Sequence, residues 1–376
     1  MRRRLDSRSE WQFALATTVA LRLFYSAAAA IAAAILPPRT DLVASNALTA
    51  HLPAASGLHY AFIGIWERFD TLWYLRIAER GYDLPAAVVF YPLYPALIRS
   101  LSWVVEPALA ALTISTAASF LYFCGLQRLA RQELSETLAF RAVALAMVWP
   151  ASFFLFAGYT EAVAAALIVW CIVFARNERW LSATTCAFAA GLTRSAGTLL
   201  IVPLLIMAWR ARAKRGTSQI WPVAVAPFGT FAYWFWLRRT GRPSIVEAYR
   251  TYWSTQVLPP WTTLWRAIDS LGHRFQPLVL ISFIALAVFL VAGVIARRRT
   301  EDRWFSLAVI AHILLRACSP PLLGAPRYLL PVYPAYVTFA QWTGRLTRSR
   351  FTLLCAVLFA LNLGFFWLFL GWSLVL

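Results

Sequence analysis

Apolar residues along this chain come in blocks, at about 12–36, 107–126, 142–157, 161–175, 181–208, 221–237, 276–296, 304–318, 328–342 and 351–374, separated by short polar stretches. A bilayer core roughly 30 Å thick takes about 20 helical residues to cross, so the longer blocks predict membrane-spanning helices and the shorter ones half-membrane helices. The pattern predicts an all-α polytopic membrane protein with about 10–11 such helices. Because the blocks run the whole length, residues 1–376 are read as a single domain. The long polar interruption at 37–106 predicts a large first exterior loop with amphipathic helices. The first block follows Arg2, Arg3, Arg4 and Arg8. Its Ala-rich run at 27–34 imitates a cleavage site, but the block is longer than the apolar region of a signal peptide, which favours a retained signal-anchor.

Charge orients these elements. Arginines gather at the N-terminus, at 128, 131 and 141, at 176 and 179, at 210–215 with Lys214, at 297–303 and at 345–350. Placing all of them in the cytoplasm, as the positive-inside rule does, puts the N-terminus inside and makes 142–175 and 181–208 cross twice each. Each is then a hairpin of short helices, turning at Gly158-Tyr159-Thr160-Glu161 and at Thr193-Arg194-Ser195. Turns at membrane depth are tolerated where they line an enclosed or wet cavity. The same parity places 238–275 outside, although it carries Arg238, Arg239, Arg242, Arg250, Arg266 and Arg274 against Glu247 and Asp269. Either the topology is off by one crossing, or this second exterior loop is basic because it meets an anionic partner such as a lipid phosphate; the second reading is preferred.

Composition closes off other classes. With 61% hydrophobic and 14% charged residues and a mean hydropathy of +0.63, the chain is far from the roughly one-quarter charged residues of soluble domains. The formal net charge of +19 follows from short membrane-flanking loops, and no nucleic-acid module accompanies it. The five cysteines (124, 171, 186, 318, 355) fall in apolar blocks without paired spacing, and the four histidines (51, 59, 273, 312) form no ligand pattern. Neither a disulfide framework nor a metal site is expected, and no cofactor.

What remains is a small set of ionisable residues where the chain is otherwise apolar. Read as a helix, Trp66 to Tyr82 puts Asp70 on one stripe with Trp66, Trp73, Tyr74 and Ile77, while Arg68, Arg76, Glu79 and Arg80 point elsewhere. A carboxylate on an aromatic face is paired, shifted in pKa or chemically employed. Glu161 and Arg194 sit in the two hairpin turns, and Arg327 in Gly324-Ala325-Pro326-Arg327-Tyr328. An unpaired charge at the bilayer midplane costs at least roughly 2.5 kcal/mol, so each is a functional candidate. The bland alternatives are a Glu161–Arg194 salt bridge between hairpins, an Arg327 that snorkels, and an Asp70 that partners Arg68 or Arg76.

These residues carry a resemblance. The run Arg68-Phe69-Asp70 through Ile77-Ala78-Glu79-Arg80-Gly81-Tyr82 to Val89-Phe90-Tyr91-Pro92-Leu93-Tyr94-Pro95 resembles the signature of the PIG-V-type mannosyltransferases. The likeness continues through Tyr159-Thr160-Glu161, Thr193-Arg194-Ser195-Ala196-Gly197 and Pro326-Arg327-Tyr328-Leu329-Leu330-Pro331. Phe69-Asp70 stands where the family usually has Trp-Asp. The resemblance implies a GT-C-like membrane glycosyltransferase that takes a sugar, typically mannose, from a polyprenyl-phosphate donor on the exoplasmic side, with Asp70 as base. A lipid phosphate leaves as a stabilised anion, so one carboxylate that takes the acceptor proton suffices, and the sugar inverts. Guanidinium forks match the phosphate, with Arg327 ranked first, then Arg194 and the basic 238–274 loop, and no divalent ion is needed. Glu161, Tyr159, Arg68, Trp73, Tyr91 and Tyr94 complete the expected substrate-binding set; Tyr91-Pro92-Leu93-Tyr94-Pro95 reads equally as a sugar-flanking turn and as a helix cap.

Two other classes stay open: a lipid or sugar transporter, which would show inverted repeats that are not found here, and a non-catalytic membrane partner subunit. Within the enzyme reading the sugar is open between mannose, glucose and arabinose. The acceptor is open between glycan, lipid and protein, with membrane lipids as further partners. An almost pure arginine cation set and short loops point to a bacterial cytoplasmic membrane.

Overall fold

The structure is a computed structural model, and it describes residues 7–36, 56–215, 221–273 and 276–373. Arg2, Arg3, Arg4, His51, Arg274 and the 37–55 part of the first loop lie outside the described residues. Apart from one two-residue strand pair, the regular structure there is helical.

Among the described residues, five helical stretches are long and apolar enough to cross a membrane: Trp11–Ile35, Pro107–Arg131, Ser195–Arg212, Pro277–Ile295 and Arg348–Leu370. They belong to α1 (Ser7–Ile35), α5 (Pro107–Arg131), α9 (Ile201–Arg215, with the 3-10 turn Ser195–Leu200 before it), α13 (Pro277–Leu290) and α17 (Arg348–Leu370). The shorter apolar blocks become shorter helices. These are α6 (Glu136–Met147), α7 (Glu161–Arg176), α8 (Trp180–Gly191), α10 (Phe228–Arg239), α14 (Thr300–Leu314) and α16 (Tyr333–Trp342). The first loop supplies α2 (Gly57–Phe62), α3 (Asp70–Arg80) and α4 (Leu93–Leu101), and the second supplies α11 (Ile245–Tyr252) and α12 (Pro260–His273). The single turn α15 (Ala325–Tyr328) precedes α16.

Local chemistry sets several of these boundaries. Pro107 and Pro277 open α5 and α13, where a missing N–H costs nothing. Ser135 and Thr347 cap α6 and α17 by accepting from the N–H groups of Leu138 and Arg350.

Polar contacts show how the chain runs. At one end Arg131 pairs with Glu136, Arg176 with Glu133 and Asp302, and Arg210 with Glu301. At the other, Glu161 meets Arg194 and Arg327. The stretches 136–176 and 180–212 therefore each leave the first end, turn at the second and return, which is the expected pair of hairpins. Two glycines allow the turns to close. A Cβ at Gly197 would stand 2.2 Å from the backbone of Ala190, so only glycine lets Ser195–Leu200 fold back on α8. A Cβ at Gly158 would meet the side chain of Thr71 at 2.6 Å, where the first turn packs on α3.

The second loop lies against the first. Arg242 donates to the Tyr82 carbonyl and Trp253 Nε1 to the Ala86 carbonyl at 3.1 Å, and from α10, just before this loop, Tyr233 Oη donates to the Val88 carbonyl at 2.9 Å. Gln256–Val257 then pairs antiparallel with Arg316–Ala317, Gln256 opposite Ala317 and Val257 opposite Arg316. Both loops thus gather at the end where the hairpins turn.

Candidate functional site

At that end lies a cavity of about 200 Å³, lined among others by Asp70, Tyr74, Tyr91, Glu161, Arg194, Arg316 and Arg327. Asp70 is presented to it by a backbone that bends sharply. Phe69 has φ 48°, a conformation a bulky L-residue rarely takes, and Asp70 is the first residue of α3. Arg68 holds this bend: it is buried and donates to the carbonyls of Leu370, Gly64 and Glu67 and to the Tyr60 hydroxyl. The Phe69 ring sits between Phe369 and Trp372. The helix expected to run through Trp66 therefore starts four residues later. Trp66 belongs to a separate 3-10 turn, Gly64–Trp66, and packs on Phe366. Arg68, expected among the substrate-binding residues, is off the cavity, because four oxygens already occupy its guanidinium.

The four ionisable residues singled out in the sequence meet. Arg327 Nη1 donates to Asp70 Oδ2 at 2.9 Å, and its Nε lies 3.0 Å from Glu161 Oε1. Arg194 Nη1 donates to the same Glu161 oxygen at 2.5 Å. Glu161 is buried, and its Oε2 has no hydrogen-bond partner among the described residues. Each charge comes from an element end: Asp70 and Glu161 open α3 and α7, Arg194 sits in the second turn, and Arg327 lies in α15. That turn follows Gly324 in the left-handed region and is pinned by Trp149 Nε1, which donates to the Pro326 carbonyl at 2.9 Å. The Arg327 guanidinium stands over Phe154, Tyr159 and Tyr328 and donates to the Tyr328 hydroxyl. The Glu161–Arg194 salt bridge between hairpins, one of the bland alternatives, is present, but it is not alone: Arg327 is buried rather than snorkelling, and the four form one network facing the cavity.

The aromatic candidates divide. Tyr91 lines the cavity and accepts from Trp234 Nε1 at 3.2 Å. Tyr159 stands behind it, its hydroxyl accepting from the Asp70 N–H at 3.3 Å. Trp73 is one layer out, stacked on Phe90 and packed on Trp253. Tyr94 is fully buried against α5, bonded to the Ala111 carbonyl and Ser115. Of the α3 stripe, Tyr74 is on the cavity, and burial, with Asp70 nearby, pushes its phenol well above the usual range. Arg76 does point elsewhere, bonded twice to Asp83.

The second loop contributes Tyr249, Trp253 and Thr255 to the wall. None of its arginines that fall among the described residues lines the cavity, so the cation expected from 238–274 is not supplied there. It comes instead from Arg316, which the sequence reading passed over. This guanidinium lies over the rings of Tyr249 and Tyr328, has no carboxylate partner among the described residues, and its Nε finds no acceptor. Arg316 lies within the 304–318 block, so the rule that picked out Arg194 applied to it; its place near the end of the block hid it. His312, weighed in the sequence only as a metal ligand, and Ser195 also line the cavity, 3.1 Å apart. In all, three guanidiniums face two carboxylates, a site with a cation to spare for an anionic ligand.

No family model matches the chain, and no curated protein matches it. Among solved structures it is similar to ArnT from Cupriavidus metallidurans bound to undecaprenyl phosphate, with a TM-score of 0.52 and 14% identity. The match covers 91% of this chain and 63% of that one, so this chain spans less than two thirds of the length of its structural neighbour. The fold it shares with ArnT, together with the five long apolar helices among the described residues, makes this a predominantly helical, multi-pass membrane protein of GT-C-like fold.

Proposed function

We propose that the chain is a membrane glycosyltransferase that moves one sugar, a mannosyl or similar residue, from a polyprenyl-phosphate carrier to an acceptor hydroxyl with inversion. The observation that carries this reading is a cavity with room for a sugar ring, in which a carboxylate and a guanidinium without a carboxylate partner among the described residues line the same space. The undecaprenyl phosphate bound to ArnT supports the donor class.

Asp70 is the base. Arg327 holds its Oδ2, which fixes the carboxylate and leaves Oδ1 for the acceptor hydroxyl. As the acceptor oxygen bonds to C1 of the sugar, its proton passes to Asp70. The C1–O bond to phosphate breaks, and the electron pair leaves with the lipid phosphate. Arg316 receives the charge that develops there, since it has no carboxylate partner among the described residues, whereas Arg327 hydrogen-bonds Asp70 and ion-pairs with Glu161. Arg327 is thereby reassigned from first-ranked phosphate ligand to the residue that orients the base. The Ser195–His312 pair, which lines the cavity, is left to hold sugar hydroxyls. Arginine supplies the charge that a monophosphate leaving group needs, so turnover proceeds without a divalent ion.

The test is sugar transfer from polyprenyl-phosphate-mannose in proteoliposomes containing EDTA, comparing the wild type with Asp70→Asn. Turnover by the wild type and a loss of at least roughly a hundredfold in the variant, with donor still bound, is the expected result. Equal rates would remove Asp70 from the chemistry, and absence of donor binding would leave a transporter of another lipid or a partner subunit as the better reading.

A further inference from the structure

Both ends of α12 are tied to membrane elements. α13 and α14 run antiparallel and are joined at the end remote from Asp70, where Arg297 meets Glu133 and Arg210 meets Glu301. The start of α13 and the finish of α14 therefore lie together at the end of the molecule that holds the Asp70 cavity. Ahead of α12, the Leu258 N–H donates to the Leu315 carbonyl at 3.0 Å and Gln256–Val257 pairs with Arg316–Ala317, so α12 begins where α14 finishes. Behind it, three residues separate His273 from Pro277, which opens the membrane-spanning stretch Pro277–Ile295. The 14 residues of α12 form a rod of about 21 Å. The link to Pro277 reaches at most about 14 Å, so the rod cannot stand on end above the span. It packs on α13 and α14, and thus lies across their ends at a low angle to the bilayer plane.

Around its axis α12 divides into three sectors, at roughly 100° per residue. Thr263 and Ala267 are buried against the protein, with Leu264 and Leu271 partly buried beside them. Arg266, Asp269 and His273 form an exposed polar sector. Between the two lies an exposed apolar stripe of Trp261, Trp265 and Ile268, in which each indole is 71% exposed. Water-facing surfaces rarely keep such a stripe. Indoles do collect at the membrane–water boundary, and an apolar sector beside a charged one is the pattern of a helix lying in that boundary.

We propose that α12 is a membrane-interface helix that seats Trp261, Trp265 and Ile268 in the lipid, with Arg266, Asp269 and His273 toward water. The occupant of the stripe is the bilayer itself, because α12 leads directly into a span and is held flat at the level where that span begins. The strand ahead of α12 pairs with Arg316–Ala317, so the seated helix also holds Arg316 and the Tyr249–Thr255 wall of the cavity at headgroup depth. The docking stands whatever chemistry is found at Asp70.

The experiment places a nitroxide on the full chain in phosphatidylcholine vesicles, one site at a time, in Trp261→Cys, Trp265→Cys, Arg266→Cys, Ile268→Cys and Asp269→Cys. The partly exposed native thiols are removed by Cys186→Ala, Cys318→Ala and Cys355→Ala. Collisions with oxygen, which dissolves among acyl chains, are compared with those of a water-soluble nickel chelate. Oxygen is expected to dominate at 261, 265 and 268, placing these labels about 5–10 Å below the headgroup boundary, and nickel at 266 and 269. Nickel dominating at all five would show a helix clear of the bilayer. Exclusion of both reagents from 261, 265 and 268 would show the stripe covered by a second copy or another protein. Either result overturns the proposal. Should the alanine background fail to fold, the wild type is irradiated in vesicles of phosphatidylcholine that carries a diazirine near the acyl ester. Crosslinks at Trp261–Ile268 support the docking, and their absence where α13 is crosslinked overturns it.

Discussion

Arg327 reaches across 257 positions of sequence to hold Asp70 at 2.9 Å, while its Nε lies 3.0 Å from Glu161. One guanidinium thus hydrogen-bonds one carboxylate and ion-pairs with the other. A point charge on a flexible stem cannot do both jobs, which separates arginine from lysine at this position.

Arg327→Lys is accordingly expected to keep the fold and to lower the transfer rate by about tenfold or more through a poorly oriented Asp70. Arg327→Gln removes the charge as well and is expected to cost about 3–5 kcal/mol of stability, because it leaves a largely buried carboxylate pair short of a cation. Transfer assays alongside thermal unfolding separate the two. A lysine variant with wild-type turnover would show that orientation of Asp70 is not limiting.

Arg316 is assigned a different task, so its variants should fail differently. Arg316→Gln is expected to raise KM for the lipid-linked donor by about tenfold, with Arg316→Lys between it and the wild type. Because Arg316 has no carboxylate to abandon, neither change strands a buried acid, and unfolding temperatures should stay close to that of the wild type. Direct binding of the polyprenyl-phosphate lipid is the check, and unchanged affinity in Arg316→Gln would move the phosphate elsewhere in the cavity.

Glu67, just before the bend at Phe69, gives the fold a pH dependence. Burial pushes its carboxyl up to about 7 from an ordinary 4.5; Arg68 and His59 oppose the shift, and Glu106 and Glu79 add to it. The folded chain therefore binds this proton more tightly than the unfolded one. The stabilisation is complete below about pH 4.5 and is lost as pH rises through about 7. The loss is on the order of 3 kcal/mol. Unfolding temperatures of the wild type and Glu67→Gln at pH 5 and pH 8 should show a steeper fall in the wild type; parallel curves would contradict the assignment.

At Gly197 the fold has no room for a methyl group. Gly197→Ala sets a Cβ against the Ala190 backbone, and the second turn must open, at a cost of at least about 3 kcal/mol. Gly272→Ala in α12, where nothing lies within 4 Å, should be neutral or slightly stabilising. Expression level and unfolding temperature measure both, and a well-folded Gly197→Ala with normal transfer would mean that the turn is looser than it stands.

Much of this site was legible in the sequence because charge is rare in it. Asp70, Glu161, Arg194 and Arg327 stood out against apolar surroundings, and the even crossings demanded by the arginine clusters brought Glu161 and Arg194 to one end. What failed to show was which oxygens each guanidinium would find. Arg68 lies next to Asp70 in sequence yet is used up by carbonyls from α17 and the 64–67 turn, contacts made only once the chain is packed. Arg316 near the end of an apolar block looks like a residue that snorkels, and only its strand pairing with the second loop turns it inward. The arginines of 238–274 looked available for phosphate, whereas the loop turns aromatic side chains to the cavity.

The charges of the cavity are also separated by when they are made. Glu161 and Arg194 are 33 positions apart and can neutralise each other as soon as α7 and α8 have packed together. Asp70, the first to be synthesised, has to wait for Arg327. Through most of its synthesis the nascent chain therefore carries one partnered acid and one unpartnered acid at the same end. A chain cut short before Arg327 should keep its first hairpins and lose the partner of Asp70, and the site is complete only when the end of α17 reaches the Arg68–Phe69 bend.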